Sequence, residues 1–157
     1  VCGYSRRQRL DLVVNILSNL AFHKNEISVF GGDQLRPNIH IEDMARAYEI
    51  LINCPKEKIN KEIFNAGFEN QTVNNLAGIV KKVMGDNIII KKVKTDDNRS
   101  YHISSKKIYD QLGFKTEKNI EDAVKDLKQA FEKKILVSPL TNEMYYNIKR
   151  MNKLKLR

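Results

Sequence analysis

Hydrophobic residues recur at helical spacing through Leu10, Leu12, Val13, Val14, Ile16, Leu17, Leu20 and Ala21, with polar residues between them. The pattern predicts an amphipathic helix over 10–22 with one face in a core. A short β-branched and aromatic run, 27–30, stops at Gly31-Gly32-Asp33 and reads as a strand entering a tight turn. Over 38–41, Asn38 and His40 alternate with Ile39 and Ile41, which predicts a second strand. Glu42 and Asp43 then supply the negative charge that favours a helix N-terminus. Met44 to Ile52 carry that helix's apolar content, and Pro55 ends it.

The second half repeats the same alternation. Residues 63–66 read as a strand closed by Gly67, and Thr72 reads as the N-cap of a helix through Leu76, Val80 and Met84 to Gly85. Ile88, Ile89, Ile90 and Val93 predict another strand, followed by a polar loop over 94–100. Ser104 or Ser105 caps a short helix that Gly113 stops, and Asn119 caps a helix through Val124, Leu127 and Phe131. Beyond Lys134 the pattern weakens. Helices outnumber short strands, so the chain is α+β or a piece of a larger α/β protein.

Composition narrows the classes. The 157 residues are 41% hydrophobic, enough for one packed domain and against a disordered tail. No apolar run approaches the ~20 residues that cross a bilayer. Neither Cys2 nor Cys54 sits in a CxxC spacing or beside a His cluster, which argues against a zinc site and fits a reducing cytoplasm. His23, His40 and His102 show no HxxxH or HExxH spacing, so no metal site is expected and each reads as a structural or surface histidine. The net charge of +9 is uneven: Lys149, Arg150, Lys153, Lys155 and Arg157 crowd the last fourteen positions with no acid among them. Such a run reads first as a frayed, solvated end, because no stacking platform accompanies it. Neither nucleic acid nor a membrane is expected as a partner.

Familiar catalytic constellations are missing. The sequence has no GxGxxG, no phosphate loop of GxxxxGK[ST] type, and an Asp96-Asp97 pair that reads as a solvated loop rather than an acid and base. Arginines near strand ends remain. Arg36 precedes Pro37, and Arg99 precedes Tyr101 by two. A guanidinium offers parallel donors that suit a diphosphate, and a surface salt bridge suits it equally.

The segments RPNIHIEDMARA (36–47), ISVFGG (27–32) and FNAG (64–67), followed by RSYHISSKKIYDQLGF (99–114) and NIEDAVKDL (119–127), decide more than periodicity does. In order and spacing they resemble NAD-dependent epimerases/dehydratases of the extended short-chain dehydrogenase/reductase family, which modify nucleotide sugars. The resemblance implies an α/β fold: the C-terminal part of an extended Rossmann-type dehydrogenase, mostly its mixed α/β substrate-binding domain, over 1–134, with a basic tail over 135–157. It implies NAD as cofactor, bound by an N-terminal region upstream of Val1, and it leaves a homodimer of a longer enzyme open. The alternative is a non-catalytic remnant or a basic binding module.

What the resemblance carries to this chain is a set of nucleotide-sugar contacts. Arg36 matches a diphosphate arginine, and Arg99 resembles a second one. Ser28 and Phe30 match strand positions against the base. Asn15, or else Asp11 with Leu12, falls where the family places a polar contact to the diphosphate, and Asn38 stands where relatives carry an aromatic. No catalytic residue is assigned. The literal YxxxK formed by Tyr145 and Lys149 lies in the tail, whereas the family places its catalytic pair upstream of the substrate domain.

Overall fold

The computed structural model describes residues 1–96 and 99–156. Asp97 and Arg157 lie outside the described residues. Its elements run α1 (Val13–Lys24), β1 (Glu26–Phe30), β2 (Leu35–Asn38), α2 (Ile41–Asn53), α3 (Lys56–Ile59), β3 (Glu69–Thr72), α4 (Val73–Met84), β4 (Ile89–Val93), α5 (Lys106–Leu112), α6 (Ile120–Glu132) and α7 (Asn147–Lys153). A single 3-10 turn, Glu143–Tyr145, precedes α7.

The core is where β1 meets three helices. Ile27 and Val29, both 0% exposed, alternate inward along β1 and meet Val14, Leu17 and Ala21 of α1 with Leu76, Ala77 and Val80 of α4. α6 closes this layer through Ile120, Ala123 and Val124. The period of two along β1 turns Ser28 and Phe30 to the opposite side. β4 pairs parallel to β1, Ile27 opposite Ile90, after a crossover that contains α4. β2 and β3 form a separate antiparallel ribbon, with Arg36 opposite Gln71.

Several helix ends obey their caps. The Thr72 hydroxyl accepts the Asn75 amide at the start of α4, and Asn119 with Asp122 makes a reciprocal capping box at the start of α6. Ser104 accepts the Lys106 amide, while Ser105 exchanges hydrogen bonds with the backbone of Gly67 instead of capping α5. Gly113 ends α5 in the left-handed conformation at φ 69°, which a side chain would strain.

Two expected strands move. The ladder of β2 ends at Asn38, and residues 39–41 make one parallel bridge to Cys2: the Cys2 amide donates to the Ile39 carbonyl and the Ile41 amide to the Cys2 carbonyl, both at 2.8 Å. The helix begins at Ile41 because the His40 ring accepts the Glu42 amide and caps it. Residues 63–66 are not a strand either. Lys107 binds the Ile63 carbonyl and lies 4.9 Å over the Phe64 ring, so this segment is a loop pinned to α5. The strand in this part of the chain is the polar β3, which has no apolar alternation to reveal it.

The first helix also starts late, at Val13. Leu10 is fully buried against Leu127, Ala130 and Phe131, with its amide on the Tyr145 carbonyl at 2.8 Å. The start of the last fourteen residues is therefore tied down rather than frayed. Asn19 donates to the Pro139 carbonyl and the Tyr146 hydroxyl, and Asn147 donates its amide to Asp11.

Candidate functional site

A cleft of about 470 Å³ opens between α1, β1 and β2. Its lining includes five residues expected from the sequence: Asp11 and Leu12 at the start of α1, Ser28 and Phe30 on the outward side of β1, and Arg36 on β2. Val1, Cys2, Gln34, Asn38, Thr95 and Tyr101 complete much of the wall. Phe30 is 55% exposed, an apolar ring standing open at the rim. Gln34 fixes the turn beneath it, accepting the Gly32 amide at 2.6 Å and donating to the Phe30 carbonyl at 2.7 Å. Gly32 itself, at φ 126°, holds a conformation that a side chain would strain, and a Cβ there would lie 2.3 Å from the Asn74 amide oxygen.

Arg36 is held from one end. Its Nη1 donates to the carbonyls of Leu35 (2.9 Å) and Arg99 (2.5 Å), and its guanidinium lies 5.0 Å from the Tyr101 ring centroid. Among the described residues, no carboxylate pairs with it. Loop 99–101 is tied to β2 a second time, since the Leu35 amide donates to the Ser100 hydroxyl at 2.9 Å. Arg99 thus meets Arg36 through its backbone. Tyr101 is the wall residue that sequence reasoning passed over; its only signal was an aromatic in an otherwise polar loop beside an arginine.

The polar groups near α1 have structural duties. Asn15, buried, accepts the Gly3 amide at 3.2 Å and donates to the Arg9 carbonyl at 2.8 Å, and it borders a second, smaller hollow rather than the main cleft. Asp11 receives Arg9 Nε at 3.0 Å, Arg9 Nη2 at 3.2 Å and the Asn147 amide at 2.9 Å. Burial alone would push this carboxyl up, but these hydrogen bonds and the Arg9 charge outweigh it and hold the carboxyl below its ordinary value. Its negative charge is therefore largely neutralised at the cleft mouth. Leu12 makes no side-chain cap, so the first turn of α1 presents backbone amides without one.

Other candidates fall outside the cleft. Cys2 lines it, but burial pushes its thiol up to about 11, which disfavours a reactive thiolate at neutral pH. Tyr145 packs in the cluster around Leu10, and Lys149 lies 4.4 Å over the Tyr146 ring, so neither partner of the YxxxK spacing lines the cleft. Ligand atoms of His40, Glu42 and Asp126 lie within 4.8 Å of one another. The His40 nitrogens are already committed, Nδ1 to the Glu42 amide and Nε2 to Asp126 at 3.1 Å, so this group ties α2 to α6.

Residues 2–67 match the model of the NAD dependent epimerase/dehydratase family. Over these residues, which hold α1, β1, β2, α2 and α3, the chain is similar to that family. Among solved structures it is similar to the UDP-glucose 4-epimerase of Thermotoga maritima with UDP-glucose, at 24% identity over 85% of this chain and 44% of the other, TM-score 0.69. It is similar to the dTDP-glucose 4,6-dehydratase of Bacillus anthracis in complex with NAD, at 17% identity over 94% and 45%, TM-score 0.65. A third is the UDP-N-acetylglucosamine 4-epimerase of Bacillus cereus, at 19% identity over 83% and 45%, TM-score 0.67. At these identities the likeness shows the fold. The chain spans less than half the length of these structures.

NAD, which the family's name carries, finds no dinucleotide-type phosphate turn among the described residues. A dinucleotide pyrophosphate needs a glycine-rich turn from a strand into a helix. Here Gly31 and Gly32 lead from β1 into β2, and the Asn74 side chain fills the space at Gly32. Among the described residues, no helix is long and apolar enough to cross a membrane.

Proposed function

We propose that this chain forms the nucleotide-sugar-binding part of an NAD-dependent epimerase or dehydratase, holding the diphosphate between the first turn of α1 and Arg36. The observation that carries this reading is Arg36: half-buried, anchored through one nitrogen, and paired with no carboxylate among the described residues while it lines a cleft. A surface salt bridge was the competing reading for this arginine, and its partner is missing among those residues. An uncapped helix N-terminus on the facing wall adds donors and a positive dipole end, the two features that attract a phosphate.

The roles divide by chemistry. Arg36 binds phosphoryl oxygens, with Tyr101 stacking on the guanidinium to fix its plane. Phe30 offers its exposed ring to the base, and Ser28 keeps the adjoining wall small. Leu12 contributes the backbone of the helix entrance. Asp11, saturated by Arg9 and Asn147, shapes that entrance rather than meeting the anion. Asn15 acts behind it as a clamp on the Gly3 and Arg9 backbone, and Arg99 lends its carbonyl to Arg36. Holding the nucleotide, remote from the reacting sugar, orients that sugar for chemistry supplied outside this cleft. No catalytic residue is assigned within the chain, and the cytoplasm is its proposed setting.

Calorimetric titration with UDP-glucose tests the reading. Arg36→Ala should weaken binding about 10- to 100-fold, the worth of a charge-assisted hydrogen bond, whereas Arg6→Ala, at an exposed position outside the cleft, should leave it unchanged. Equal affinity for the parent and Arg36→Ala would remove the diphosphate assignment.

A further inference from the structure

The end of the chain turns its apolar side to solvent. Ile148 (73% exposed), Met151 (48%) and Leu154 (48%) follow one another at a spacing of three along α7 and its C-cap, with Leu156 (55%) just beyond. At 100° per residue, the first three fall within one arc of the helix, and Lys149 and Lys153 fall on the opposite side. Over 143–156 there are four cations, Lys149, Arg150, Lys153 and Lys155, and one carboxylate, Glu143. Glu143 already serves Arg150 at 3.5 Å and Lys153 at 2.6 Å.

A polar helix of this length would expose its charges and bury its hydrophobes. This one buries none of its residues. It is nevertheless held in place, because the Tyr145 carbonyl accepts the Leu10 amide, the Met144 carbonyl accepts Arg7 Nη1 at 2.9 Å, and Asp11 accepts the Asn147 amide. The result is a short amphipathic helix fixed at its start to the body of the protein, with exposed hydrophobes on one side and Lys149 and Lys153 on the other.

We propose that α7 and residues 154–156 dock the protein onto an anionic lipid surface. Charge and shape select that occupant together. Aliphatic side chains suit the acyl boundary, and lysines on the polar face suit acidic headgroups. A nucleic acid would call for outward cations and stacking rings, but the tyrosines next to this helix are turned inward: Tyr145 packs on the Leu10 cluster and Tyr146 is hydrogen-bonded to Pro139. Ile148, Met151 and Leu154 enter the headgroup layer while Lys149, Lys153 and Lys155 stay at its surface. This inference is independent of the cleft and of the proposed substrate.

Co-sedimentation of the full chain with vesicles tests it. Binding should be slight on phosphatidylcholine alone, strong on a phosphatidylcholine–phosphatidylserine mixture, and weakened by added salt. Ile148→Asp with Met151→Asp should lower binding to mixed vesicles about tenfold or more. Lys149→Glu with Lys155→Glu should abolish the preference for phosphatidylserine. All four positions are exposed, so melting curves of both variants should overlay the parent. Absence of binding to mixed vesicles overturns the proposal, as does undiminished binding by the two double variants. Two further results would overturn it in favour of another occupant: retention of duplex DNA without vesicle binding, or a dimer in solution that Ile148→Asp dissolves.

Discussion

The two C-terminal helices, α6 and α7, are both amphipathic, yet they use that property in opposite ways. α6 has thirteen residues, a reciprocal capping box and six buried side chains, with Ala123, Val124 and Leu127 at 0% exposure. α7 has seven residues, no side-chain cap and no buried residue. α6 is stabilised by what its apolar face covers, namely α1 and α4. α7 is stabilised by polar ties at its first turn and by Glu143. Short helices are marginal in water without packing. The lesson is that an apolar stripe tells which residues want to leave water, while the caps and latches tell whether the fold has already satisfied them.

The sharpest way to break the comparison is to unseat α6. The loop entering it is pinned by Asp43, fully buried in α2, whose carboxylate accepts Arg46 at 2.6 Å and the amides of Glu117 at 2.9 Å and Lys118 at 3.0 Å. Asp43→Ala strands both amides and should lower stability by about 3 kcal/mol. A urea midpoint shift at unchanged slope reads this directly. An unmoved midpoint would mean that water replaces the carboxylate and that α6 needs no such pin. Asn119→Ala removes only one half of the capping box and should cost about 1 kcal/mol by the same measurement. If Asn119→Ala exceeds Asp43→Ala, the cap rather than the buried carboxylate seats the helix.

Much of this is legible in the amino-acid sequence. The face of α1, the strand β1 with its glycine turn, the Thr72 and Asn119 caps and the strand near Ile90 are local signals, written in spacing and in residue type. Five of the candidate residues line one cleft because the period of two along β1 turns Ser28 and Phe30 to the same side, where β2 brings Arg36. What was not legible depends on distant partners. β3 is polar and exists only as the partner of β2. Leu10 belongs to a turn because Leu127 and Phe131 bury it from more than a hundred residues away, and Asp43 reads as helix-start charge until the loop before α6 is seen to donate to it. The hydrogen bonds that Asn15 and Asp11 make to Gly3, Arg9 and Asn147 likewise depend on partners that spacing does not reveal. Tyr101 gained meaning only when loop 99–101 folded onto Arg36.

The smallest expected effect concerns the latch on α7. Asp11 has its carboxyl held below the ordinary value of about 3.9 through Arg9 and the Asn147 amide, against the opposing influence of its burial. A carboxyl depressed in the folded state contributes stability that is complete above its unfolded pKa and is lost as pH falls through the folded one. Acid should therefore loosen α7 before it unfolds the body, because α6 and the core behind it do not depend on this carboxylate. Hydrogen exchange at Asn147, corrected for intrinsic rates, should speed up as pH drops below about 4. Glu143 is held low as well, chiefly by the hydrogen bond from Lys153, and titrates in the same direction. Asp11→Asn separates the two: it should raise exchange at Asn147 at neutral pH by a few-fold and flatten most of the acid dependence, with the urea midpoint almost unmoved. Retention of the full acid dependence in that variant would transfer the latch from Asp11 to Glu143, and α7 would then be fixed through its own salt bridges rather than through the mouth of the cleft.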